Sequence, residues 1–149
     1  MTTIVANLEC MAADRFVSYA PSYKGDLKIW TAKGSVWGAA GDAEHCIRFQ
    51  SWTKGRGARP RVKEPDDPEG ARFEALQLSP KGLFLYINDS PPDAVKEPYY
   101  AIGSGSGYAI GALSMGATLE QSIEVAAKWD SGTRGPFDSI QLGDAKAKR

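Results

Sequence analysis

Short apolar runs broken by polar or glycine positions open the chain. Thr3 to Leu8 and Cys10 to Asp14 predict two strands with almost no loop between them, a tight hairpin at the N-terminal end. Asp26-Leu27-Lys28-Ile29-Trp30-Thr31 alternates polar with apolar. As a strand it projects Leu27, Ile29 and Thr31 to one face and Lys28 and Trp30 to the other. Ser35 to Ala40 follows an Ala-Lys-Gly turn as a further strand, in which Gly38 stands out. Glycine weakens a strand unless backbone or ligand must approach closely. Asp42 caps a predicted helix through Glu44, Ile47, Phe49 and Trp52, and Lys54 to Gly70 then breaks every period with three prolines and three glycines.

The second half repeats the theme and then changes it. Phe73–Leu78 and Leu83–Ile87 flank Ser79-Pro80-Lys81-Gly82 as a β-hairpin, Asn88 to Pro98 is a Pro/Asp-rich connection, and Tyr99–Ile102 is another strand. Ala109, Ile110, Ala112, Leu113 and Met115 predict a small-residue helix. Thr118 followed three residues later by Gln121 has capping-box spacing, so a second helix starts near Leu119. Ser131 to Pro136 ends it, Phe137–Leu142 is a last strand, and 144–149 is expected to be a frayed tail. Segregated runs of strands and helices predict an α+β fold, two stacked antiparallel sheets between helix layers, in one domain over 1–149.

Composition removes several function classes. Eighteen Lys+Arg balance eighteen Asp+Glu, so no net basic field exists to hold a polyanion. A nucleic-acid module using Lys54 to Lys63 with Trp52 as a stacking platform is disfavoured, because Glu64, Asp66, Asp67 and Glu69 offset the neighbouring positives. The longest apolar runs, such as Leu83–Ile87, are too short to cross a bilayer, and the first residues lack a secretory pattern, which leads to the expectation of a cytoplasmic protein without membrane partners. Cys10, Cys46 and the single histidine, His45, cannot build a Cys/His zinc cluster, and no metal or cofactor is expected.

Gly103-Ser104-Gly105-Ser106-Gly107 lies between a strand and a helix. It lacks the third glycine of G-x-G-x-x-G and the Gly-Lys-Ser/Thr ending of a P-loop, so a turn that packs helix on sheet is favoured over a nucleotide site. Taken singly, Lys28 reads as a surface lysine and Asp14 as an ordinary hairpin carboxylate.

In order along the chain, Thr2-Thr3-Ile4-Val5, Met11-Ala12-Ala13-Asp14, Lys24-Gly25-Asp26-Leu27-Lys28, Gly38-Ala39-Ala40-Gly41-Asp42 and Ala101-Ile102-Gly103-Ser104-Gly105-Ser106-Gly107-Tyr108-Ala109 resemble proteasome β-type subunits, and HslV-like peptidases in particular. The resemblance covers residues 2–50 and 99–142. It implies an N-terminal nucleophile hydrolase, a four-layer αββα sandwich shortened in its first helix layer. It also implies a threonine-type endopeptidase with no cofactor, acting on unfolded polypeptide or peptide as a ring-forming homo-oligomer, with an AAA+ unfoldase as partner. Matched motif by motif, Thr2 is the nucleophile, Asp14 the carboxylate near it, and Lys28 the lysine beside it. Gly38 supplies the oxyanion-hole N–H, Ser104 a supporting hydroxyl, and Asp130 the second aspartate.

The chemistry implied is coherent. A free α-amine has an ordinary pKa of about 7.7–8, so Thr2 freed of Met1 would carry its own base. Met1 must therefore leave, and a chain that keeps it would be an inactive structural or regulatory oligomer of the same fold. Between Trp52 and Phe73 the resembling proteins carry more helix, where this chain has the charged loop, which puts the ring contacts in question.

Overall fold

The computed structural model describes residues 2–15, 28–61 and 73–147. Met1, Asp26, Leu27, most of the charged loop and the last two residues lie outside them.

β1 (Thr3–Asn7) and β2 (Cys10–Asp14) form the predicted hairpin, with Ile4 opposite Ala13 and Ala6 opposite Met11. The Asn7 side chain closes the turn by accepting the N–H groups of Glu9 and Cys10. β8 (Tyr99–Gly103) adds to the free edge of β1 and β9 (Phe137–Gln141) to that of β2, giving the sheet order β8-β1-β2-β9. The second sheet has the order β3-β4-β5-β6-β7, from Ile29–Ala32, Ser35–Ala40, Glu74–Ser79, Gly82–Ile87 and Asp93–Ala94. Consecutive positive φ angles at Lys33 (50°) and Gly34 (77°) fit the mirror-image turn that joins β3 to β4.

Alternation then sorts side chains into layers. Ile4, Met11, Ile29, Val36, Leu76, Leu78 and Ile102 meet between the two sheets. On the outer face of the first sheet, Val5, Ala12 and Ala101 pack under Ala109 and Leu113 of α2 (Ser106–Ser114) and Ile123 and Ala126 of α3 (Leu119–Trp129). On the outer face of the second, Trp30, Trp37, Ala75 and Tyr86 pack with Phe49 of α1 (Ala43–Thr53) and with Phe73. The result is the αββα order. Both predicted caps are present: Asp42 accepts the His45 N–H, and Thr118 and Gln121 form a reciprocal capping box.

The sequence reading differs from the structure in three places. The expected frayed tail is α4 (Leu142–Ala147), because Leu142 and Ala145 are buried in the inter-sheet core. The Asn88–Pro98 connection contains β7, whose Ala94 pairs with Phe84. Lys28 does not share Trp30's face: β3 begins only at Ile29, so alternation does not govern Lys28, which sits on a bend and reaches the other sheet.

Candidate active site

The starts and ends of four segments gather at one end of the first sheet. β1 starts at Thr3, β2 stops at Asp14, β8 stops at Gly103, and the turn 130–134 leads into β9. Two carboxylates organise this end.

Asp14 is 1% exposed. Its Oδ1 accepts the Thr3 N–H at 3.0 Å and the Lys28 Nζ at 2.8 Å, and its Oδ2 accepts the Arg134 N–H at 3.2 Å. A buried carboxylate persists when it is paired and hydrogen-bonded, and here one cation and two backbone donors meet that need. The Lys28 side chain is itself only 11% exposed. Burial lowers its pKa below the usual lysine value by more than the hydrogen bond and charge of Asp14 raise it.

Asp130 gathers hydroxyls instead. Its Oδ2 accepts from Ser104 Oγ at 2.7 Å and from Thr133 Oγ1 at 2.6 Å. Thr133 has spent its one proton there, so the 2.6 Å contact between the Thr133 and Thr3 hydroxyls has Thr3 as donor. Burial works to raise the Asp130 pKa, but hydrogen bonds from Thr133, Ser104 and the Gly132 backbone outweigh it, and the net shift is downward. Ser104 Oγ also lies 3.5 Å from the Thr2 carbonyl oxygen.

The glycine-rich segment has a steric purpose. A Cβ on Gly103, whose φ is +95°, would lie 1.9 Å from the Thr2 carbonyl oxygen, and one on Gly105 would lie 2.1 Å from Thr3 Oγ1. Only glycine lets this turn close on the first residues of β1.

The structure thus brings together Thr2, Asp14, Lys28, Ser104 and Asp130, all singled out from the sequence. It adds Thr133 and the Arg134 N–H, which sequence reasoning missed. Their only signal was the turn Asp130-Ser131-Gly132-Thr133, in which the Thr133 N–H also returns to the Asp130 carbonyl.

Gly38 is placed differently. It lies within β4, opposite Ile29 on one side and Leu76 on the other. The bond from Ala39 N–H to the Lys28 carbonyl makes Ile29–Gly38 the non-hydrogen-bonded kind of pair, so the Gly38 N–H is turned toward β5. As an oxyanion donor it would first have to leave that ladder. Its missing side chain has a packing reason: a Cβ would stand 2.9 Å from Met11 Sδ and 3.0 Å from Ile4 Cγ2.

Among the described residues, no three His, Cys, Asp or Glu side chains gather as a metal site, and no helix is long and apolar enough to cross a membrane.

The fold is that of the N-terminal nucleophile hydrolases of proteasome and HslV type. The particular structures it matches include BPH from Thiobacillus denitrificans, with a TM-score of 0.72 at 19% identity over 94% of this chain and 96% of that one. The same protein in complex with epoxomicin gives a TM-score of 0.68 at 19% identity, again over 94% and 96%. Eukaryotic HslV from Trypanosoma brucei gives 0.65 at 15% identity, over 94% of this chain and 98% of that one. At such identities the likeness is one of fold. No protein-family model and no curated protein matches the sequence.

Proposed function

We propose that the protein is a threonine-type peptidase in which Thr2, once Met1 is removed, is both nucleophile and base. The observation that carries this reading is the buried Asp14 carboxylate, which holds the Lys28 ammonium and the Thr3 N–H on one oxygen. That places a fixed cation beside the residue that follows Thr2. Thr2 Oγ1 attacks the scissile carbonyl carbon and its proton passes to the Thr2 α-amine, directly or through water. The amine then protonates the departing peptide nitrogen, and water hydrolyses the resulting ester by the reverse transfers. Lys28 stabilises the developing alkoxide, and the lowering of its pKa by burial makes it a readier partner in proton movement. Ser104 and Asp130 fix the chain start against which Thr2 turns.

The reading extends to a cytoplasmic homo-oligomeric ring that encloses its sites, takes unfolded polypeptide or peptide, and is fed by an AAA+ unfoldase. Exposed Met115 (88%) on the end of α2 and Trp129 (64%) on α3 are suited to burial against further subunits. One observation favours a second reading, a non-catalytic oligomer of the same fold: the Gly38 N–H belongs to the β4–β5 ladder.

Intact mass together with hydrolysis of short fluorogenic peptides separates the two. Loss of one methionine and turnover abolished by Thr2→Ala are expected. A mass adduct with epoxomicin, absent in Thr2→Ala, is expected as well. Retention of Met1 in the native host, or turnover that survives Thr2→Ala, removes Thr2 from the mechanism.

A further inference from the structure

Along β5 the inward-facing positions are Glu74, Leu76 and Leu78. Leu76 and Leu78 are fully buried in the inter-sheet core, while Ala75 faces the aromatic layer on the other side. A carboxylate at the end of a row of buried leucines breaks the strand's own pattern, and such breaks concentrate at functional sites. Glu74 Oε2 accepts the Gly103 N–H at 3.2 Å, so a side chain of the second sheet reaches the last residue of β8 in the first. Gly103 is the residue on which an added Cβ would strike the Thr2 carbonyl, and it immediately precedes Ser104. At the paired position of β1, Gly103 faces Thr3.

We infer that Glu74 is a positioning residue: by accepting the Gly103 N–H it holds the β8–α2 turn closed, and so sets Ser104 and the Thr2 carbonyl at their working separation. Glu74 acts through the backbone of Gly103. What the position requires is an acceptor oxygen at that reach, not a negative charge. The inference deepens the peptidase reading and rests on it for its kinetic consequence, whereas the closure of the turn does not depend on turnover.

Three variants and two measurements test it. In the chain with Thr2 exposed, Glu74→Ala is expected to lower kcat about tenfold or more with KM within about twofold, and Glu74→Gln, which keeps an acceptor, to stay within about threefold of wild type. Glu74→Leu, which completes the apolar row and can raise global stability, is expected to match Glu74→Ala in kcat. Amide hydrogen exchange decides the matter even if no peptide is cleaved. Exchange over 103–107 and at Thr3 should speed up in the Ala and Leu variants and return to wild-type rates in Gln, while α1 and β6 stay unchanged. Unchanged exchange in Glu74→Ala overturns the proposal. So does a Gln variant as impaired as Ala, which would mean that the charge is what acts. Wild-type exchange behaviour as expected, with no turnover or epoxomicin adduct, would count against the peptidase reading and leave the positioning contact standing.

Discussion

The end of the sheet where β1 begins and the layer beneath α1 are built on opposite physical terms. At the first, Thr2, Thr3, Asp14 and Thr133 are buried polar residues, and their positions follow from directional hydrogen bonds to single atoms. At the second, Phe49 stands with its ring centroid 5.0 to 5.8 Å from those of Phe73, Trp52, Tyr86 and Trp37. Its polar fittings are few, such as Trp30 Nε1 donating to Thr53. Aromatic burial contributes stability through area and tolerates small shifts, whereas a relay of hydroxyls has one proton per link and tolerates none. One region therefore holds the molecule together, and the other holds a geometry that the rest must support.

The sharpest break in that contrast comes from Phe49→Ala. A fully buried ring with four ring neighbours is expected to cost about 3–5 kcal/mol in urea unfolding, with peptide turnover per folded molecule unchanged. Lys28→Ala comes next and has the opposite signature. It leaves Asp14 charged and without its cation, but the Thr3 and Arg134 N–H groups remain, so the expected loss is about 3 kcal/mol, the low end for a broken buried pair. Turnover should vanish with it. Adding Asp14→Asn should recover much of that stability and none of the activity, which a double-mutant cycle reads directly.

How far the sequence discloses each region follows the same division. Of the aromatic layer, the strand Ser35–Ala40 and the helix through Phe49 and Trp52 were legible from local pattern alone, whereas the meeting of Trp37 and Phe49 in one layer is disclosed by the structure. Both helix caps were legible because Asp42 and Thr118 bond within three residues of themselves. The candidate site was legible only through a resemblance, since Asp14, Ser104 and the turn that carries Asp130 and Thr133 meet across gaps that no local period spans. Thr133 escaped notice although Asp130 is only three residues away, because what marks it is its contact with Thr3 at the other end of the chain. Lys28 was found but faced the wrong way, because a bend had ended the alternation one residue early. The helix at 142–147 was missed because its six residues are too few to show a helical period, and the burial of Leu142 and Ala145 in the inter-sheet core decides its state.

Thr133→Val tests the relay at smaller amplitude. Valine keeps the shape and removes the hydroxyl, so Thr3 Oγ1 loses its acceptor and Asp130 one of its donors. The expected cost is about 1–2 kcal/mol in unfolding, and slower turnover if the Thr3 hydroxyl helps to seat Thr2. A change confined to stability would make the relay a structural strut.

The smallest effect is a pH dependence carried by Asp130. Asp130 has its folded-state pKa below the ordinary 3.8, because hydroxyl and backbone donors outweigh its desolvation. The folded state therefore binds its proton later than the unfolded state does as the solution is acidified. The stability that Asp130 contributes is complete above the ordinary value and drains away as pH falls through the lowered one. Thermal midpoints measured from neutral pH down into this acid range should fall in the wild type. In Asp130→Asn, which cannot titrate, the same descent should be shallower, with the two curves converging at the acid end. Since Asp130 is only partly buried, solvent screens the difference and it should be modest beside that of Lys28→Ala. Parallel curves would mean that the hydroxyls bind the carboxyl and the carboxylate equally well, and that the Ser104–Asp130–Thr133 cluster owes its geometry to the turn instead of to charge.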